Sequence, residues 1–346
     1  MLLLAVTVLS ASVYSAEAVA TRVYVTQNGA GIKDGSSWSN AMGETEFASA
    51  LSMPVSEMEF WVAGGAYRPS VTGDTGKSFQ VGYGTSIYGG FKGDETLLSQ
   101  RDPYKYKTVL TGDLGNDDVN KIDGITETAS NIAGSNSVTV VTVNGGSPLN
   151  TVIDGVIITA GNNAGGTSGI GGGMFIESGS PLVTNCTFAG NRSASRGAGL
   201  ASNNWDAGPV ITSCSFYGNT TLGNGGGIYS NSAPAETAAT KITNCTFYGN
   251  TASQGGAAYL ATSGVSVMNS TLVYNNAGTA GGGIYIEGGS SSVKNSIVWG
   301  NISPDGTAIK LGTATSASVS YSVIEGGFTG GSNIITDDPI IDAINL

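Results

Sequence analysis

One recurring pair of motifs limits the folds open to this chain more than any other property. Residues 182–191 read LVTNCTFAGN, 211–219 ITSCSFYGN and 242–250 ITNCTFYGN, followed by VMNSTLVYN at 267–275 and VKNSIVWGN at 293–301. Residues 152–162 are a looser copy, and 319–327 a decayed last one. Between the copies runs a glycine-led motif beginning at Gly171, Gly197, Gly225, Gly255 and Gly281. With Asn185, Ser213, Asn244, Asn269 and Asn295 as markers, the steps are 28, 31, 25 and 26 residues. Repeats of this length signal a solenoid. Two β-rich motifs per period exclude helical repeats and fit one coil of a parallel β-helix, stacked at the spacing of about 4.8 Å between paired strands.

The phase of apolar residues places the turns. Ile242 and Cys245 are three apart, and Cys245 and Phe247 two apart. A strand of period two cannot bury all three, so the chain must turn at Asn244, a residue type that tolerates the left-handed conformation. Asn185, Ser213, Asn244, Asn269 and Asn295 are therefore expected to form a structural ladder, with amides bonding from coil to coil. Asn191, Asn219, Asn250, Asn275 and Asn301 mark the next turn. Cys186, Cys214 and Cys245 share one repeat position. Their odd number, and Ser270 and Ser296 in the next copies, favour a column of buried thiols over a disulfide, and the spacing is wrong for a metal site.

Composition narrows the function. Charged residues are 11%, the net charge is −11 and there is no histidine. No basic stripe is available for nucleic acid, and imidazole chemistry is excluded. Residues 1–18 read as a secretory signal peptide, with an apolar run followed by small residues, although the leading basic residue is missing. No later stretch is long and apolar enough to span a membrane. Residues 19–150 are expected to hold an amino-terminal cap and the first coils with long insertions, including a short capping helix from Glu44 to Leu51. Residues 151–346 hold the regular repeats of about 25–31 residues and the decayed last coil. The fold class is thus all-β, a single-stranded right-handed parallel β-helix with an amino-terminal cap region.

The runs SSWSN from Ser36, FWVAGGAYRP from Phe60, IYGGFKGDET from Ile87 and QRD from Gln100 resemble the amino-terminal part of secreted bacterial right-handed β-helix proteins. The coils resemble polymorphic outer-membrane protein repeats, marked by GG-[AILV] and FxxN. Gly226-Gly227-Ile228 and Phe216–Asn219 match those marks, as do Gly282-Gly283-Ile284 and Phe247–Asn250. The resemblance implies an exported protein, extracellular or at the cell surface or outer membrane, often an adhesin or scaffold, and carries over no catalytic residue. Its partners would be polysaccharide or cell-surface components. No carboxy-terminal barrel or sorting domain follows Leu346, so the chain is expected to be a fragment or to attach by other means.

The rival class is an enzyme of the same pectin lyase-like solenoid, a polysaccharide lyase or glycoside hydrolase. Fold alone does not choose between them. A glycosidase needs two facing carboxylates, and Asp206 and Glu236 are the one candidate catalytic pair, set against a reading as solvated loop charges. No cofactor is called for. The one candidate ion is a structural Ca²⁺ held by Asp113, Asp117, Asp118 and Asp123, with Asn116, because oxygen donors cluster there; a solvated, turn-forming loop is the alternative. Tyr217/Tyr248 and Tyr229/Tyr259/Tyr285 form columns that could stack on sugar rings or on each other.

Overall fold

The computed structural model describes residues 20–53, 57–145, 151–165, 169–203, 208–231, 239–262, 264–312 and 316–339. They form a parallel β-helix with three walls. The first wall runs through Met58–Ala63, Ser86–Phe91, Val152–Asp154, Leu182–Thr184, Val210–Thr212, Lys241–Thr243 and Ser266–Met268. The second runs through Gly65–Tyr67, Thr108–Thr111, Val156–Thr159, Thr187–Ala189, Ser215–Tyr217, Thr246–Tyr248, Thr271–Val273 and Ile297–Trp299. The third is an eight-stranded sheet from Phe79–Gly82 to Ile309–Leu311. A narrow five-stranded column, from Asn162–Asn163 to Asn276–Ala280, links the second wall to the third. Each strand pairs in parallel with its equivalent one coil away, so like residues stack.

The stacking builds the core. Ile153, Val183, Ile211, Ile242, Val267 and Val293 form one inward column. Phe188, Phe216 and Phe247 form another, their rings parallel within 6° at 4.6 and 4.8 Å. Each such side chain contributes about 1.5–3 kcal/mol by leaving water. Cys186, Cys214 and Cys245 are buried free thiols, as expected, and burial together with the neighbouring thiols pushes the Cys214 thiol up. The column continues as serines: the Ser270 and Ser296 hydroxyls accept the backbone N–H of Cys245 and Ser270 at 3.1 and 3.2 Å.

The upper end is closed by the helix Glu44–Leu51, where the sequence placed it. Its Phe47 packs on Phe60 and Phe79 at 5.3 and 5.5 Å and covers the first coil. The motifs SSWSN, FWVAGG and YGGFKGDE meet outside that coil. Trp61 stacks on Phe91 at 4.6 Å, Trp38 packs on Phe91, and the Trp38 indole donates to the Glu95 carbonyl. The Glu95 carboxylate accepts the backbone N–H groups of Lys92, Gly93 and Asp94. These motif residues brace the fold.

The ladder expectation needs correcting. Asn185, Ser213, Asn244, Asn269 and Asn295 do take the left-handed turn, with φ between 50° and 55°, but their side chains are exposed. The coil-to-coil amide bonds run through the second column. Asn191, Asn219, Asn250 and Asn275 each donate Nδ2 to the Oδ1 of the next rung at 2.9 Å, ending at Asn301. Each Oδ1 from Asn219 to Asn301 also accepts the backbone N–H of the rung before it. The difference lies in the residue before the turn. Gly190, Gly218, Gly249 and Gly300 take the left-handed conformation there, at φ 58° to 63°, leaving the next asparagine free to point inward. From Asn185 to Asn295 the first turn has no glycine, so the asparagine, or Ser213, adopts that conformation itself and ends up outside.

Asn219→Leu should therefore cost about 2–4 kcal/mol, because it orphans the buried donors of Asn191. Asn244→Gly should stay within about 0.5 kcal/mol, since glycine supplies the same turn. Chemical denaturation of both variants checks the order; an equal loss in both would return the ladder to the first column.

Candidate functional site

Two insertions rise beside the second wall. One, between Phe91 and Thr108, is pinned by Arg101. Its Nη2 lies 2.5 Å from Asp154 Oδ2, and its Nη1 donates to the carbonyls of Gly89 and Asp154. Asp154 also accepts from Asn185 Nδ2 at 2.9 Å. Pro103 packs where a side chain on Gly90 would clash, and Gly90 sits at φ 93°, so both space and backbone call for glycine there. The QRD motif is thus a staple between insertion and coils. The second insertion, between Thr111 and Ser137, lays Ile125 against Val109 and Ala189.

Between these walls runs a groove of about 980 Å³. Its floor is the outer face of the second wall: Ile157, Thr187, Ser215, Tyr217, Thr246 and Tyr248. Leu97, Leu98, Pro103, Tyr104 and Ile125 form the sides. Tyr104 is 93% exposed at the rim. The cations lining the groove are both paired, Arg101 with Asp154 and Lys107 with Asp123 at 2.8 Å. Among the described residues, no aspartate or glutamate lines it. Burial first, and Glu127 second, push the Tyr217 hydroxyl up to about 12. The groove offers hydroxyls, ring faces and carbon, without an unpaired charge.

Asp206 and Glu236, the candidate catalytic pair, lie outside the described residues. The acidic cluster is partly assembled. Carboxylate oxygens of Asp113, Asp117 and Asp118 all lie within 4.8 Å of one another. Asp123 does not join them, because it faces the other way to pair with Lys107. The Asp113 and Asp118 oxygens already have partners: Asp113 accepts the backbone N–H of Asp117 and Asp118 and holds the Lys121 ammonium at 2.6 Å. Lys121 also donates to Asn116 Oδ1 at 2.8 Å. Asp118 accepts from Thr126, Ala133 and Asn136, and burial raises its carboxyl. This network ties the insertion together, and a divalent ion would have to displace Lys121.

The tyrosine columns divide. Tyr229, Tyr259 and Tyr285 stack on one another at 5.5 and 5.1 Å, with the Arg196 guanidinium over Tyr229, and the first two are buried. They are a coil-to-coil stack. Tyr217 and Tyr248, in register on the second wall, face the groove. Sequence reasoning identified these two tyrosines but not the wall: residues such as Tyr104 lie far from them in the sequence, and no local pattern joins them.

No helix among the described residues is long and apolar enough to cross a membrane. No family model matches the chain, and no curated protein does. Among solved structures, the crystal structure of pectate lyase Pel9A is similar, at 14% identity and a TM-score of 0.52, over 91% of this chain and 74% of that one. The likeness supports the right-handed parallel β-helix fold.

Two outcomes test the site's construction. Arg101→Ala should cost about 3 kcal/mol, because it strands the Asp154 carboxylate with little exposure, and limited proteolysis should then cut within 92–107; unchanged cleavage would remove Arg101 as the staple. Tyr217 keeps its proton to higher pH when folded, so its contribution is intact below about pH 10, the unfolded value, and fades as pH rises toward 12. Tyr217→Phe should flatten that part of the alkaline stability curve.

Proposed function

We propose that this is an exported, surface-associated β-helix protein that holds a polysaccharide along the second-wall groove without cleaving it. The observation that carries the reading is the groove's lining, which combines a column of hydroxyls with exposed tyrosine faces and, among the described residues, no carboxylate to act as acid, base or nucleophile. Stacking of sugar rings on aromatic faces supplies binding without chemistry. Export and surface attachment rest on the apolar leader and on the resemblance to exported repeat proteins. Adhesion or matrix scaffolding is the role such binding would serve.

A second reading, a lyase or hydrolase, is favoured by one observation, the likeness in fold to a pectate lyase. Folds host many activities, so the weight falls on the site.

Incubating the purified chain with a panel of neutral and acidic polysaccharides, with and without Ca²⁺, separates the two. Retention on polysaccharide with no new reducing ends and no rise in unsaturated-uronate absorbance is the expected result. Turnover abolished by Asp206→Asn or Glu236→Gln would replace it with the enzyme reading.

A further inference from the structure

The second wall continues past the groove, and its outward positions change character along the axis. The position following each inward residue is Ala189, Tyr217, Tyr248, Val273 and Trp299 in successive coils. Val273 is fully buried. The next residue, Tyr274, occupies the turn that Gly190, Gly218, Gly249 and Gly300 form in the other coils. It does so at φ 54°, a conformation that a bulky L residue adopts only against steric opposition. Such outliers persist where the surroundings hold them in place, and they cluster at ligand sites. Here the surroundings are specific. The Tyr274 ring lies edge-on to Tyr248 at 6.1 Å and rests on Gly300, where a Cβ would come within 2.6 Å of Tyr274 Cε1. Both rings keep more than a third of their surface open.

We infer that Tyr217, Tyr248, Tyr274 and Trp299 form an aromatic platform that continues the groove along the helix axis and receives a neutral, extended glycan; this deepens the polysaccharide reading above and rests on it. The axial step between coils, about 4.8 Å, is close to the length of one extended sugar unit, so successive rings can meet successive coils. The charge pattern selects the class. Arg101 is engaged by Asp154 and two carbonyls, and Lys107 by Asp123. A uronate chain would bring carboxylates into a groove with no free countercharge among the described residues, losing water without a partner, against a chain of net charge −11. A neutral sugar meets no such opposition, and Thr187, Ser215 and Thr246 offer hydroxyls along the floor.

Calorimetric titration of the full chain with xylohexaose, cellohexaose and hexagalacturonate, at about 0.1 M and about 1 M salt, tests this, because screening separates charge from stacking. A neutral hexasaccharide is expected to bind with the same affinity at both salts. Tyr274→Gly restores the turn residue of the other coils, so its melting temperature should hold or rise while affinity falls about 2- to 10-fold. Tyr248→Ala should weaken binding in the same range. Preferential, salt-sensitive binding of hexagalacturonate, still weakened by Tyr248→Ala, would overturn the neutral class and leave the groove. A lower melting temperature in Tyr274→Gly with affinity unchanged would make that ring structural and overturn the platform. Silence of the unmodified chain toward a broad glycan panel would instead defeat the polysaccharide reading beneath it.

Discussion

The structure depends on a buried row of amides. Every coil must reverse direction at the junction of the second wall and the narrow column, and the reversal leaves backbone groups inside an apolar stack. Unpaired, each would cost about 1–3 kcal/mol. The Asn191–Asn301 ladder meets that demand with one side chain per coil: the Oδ1 takes a backbone N–H and an amide from the coil before, and the Nδ2 reaches a carbonyl such as Phe188 or Phe216 and, up to Asn275, the next rung. Because each rung needs its neighbour, the coils are fixed in register, and the Phe and Ile columns follow.

Fixed register is what makes the outer face usable. The second wall presents the same two outward positions in each coil, so a hydroxyl column and an aromatic column arise from the repeat itself. The insertions then decide how much of that face stays open. Ile125 covers part of Tyr217, whereas Tyr248 and Tyr274 lie beyond that cover. The polar groups that hold the insertions, Arg101 on Asp154 and the Asp113–Asp118 network around Lys121, are spent on architecture. What remains facing the groove is uncharged in sum, a consequence of how the walls are anchored.

Much of the solenoid was written locally. The three-then-two spacing of Ile242, Cys245 and Phe247 required a turn at Asn244, and the left-handed φ of 55° is there. Phe47 in the 44–51 segment had the apolar face of a cap, and it closes the first coil. The two asparagine columns were visible too, but which of them is buried was misjudged, since both recur at the same steps. The distinguishing signal was the preceding residue, glycine in one column except for Tyr274 before Asn275, and Thr or Lys or Met in the other. A left-handed residue before the asparagine, glycine or at one coil Tyr274, frees it to turn inward; without one the asparagine makes the turn and faces solvent.

By itself, then, the sequence determined period, turn positions, buried columns and charge, because these follow from nearest-neighbour conformational preference and from stacking of like on like. Only the tertiary structure decided what the groove contains. Asp123 turning to Lys107, Arg101 reaching Asp154 across 53 positions, and Tyr104 lining the same groove as Tyr248 depend on how two insertions fold back on the coils. Such contacts join residues remote in sequence and irregular in spacing, so no periodicity announces them.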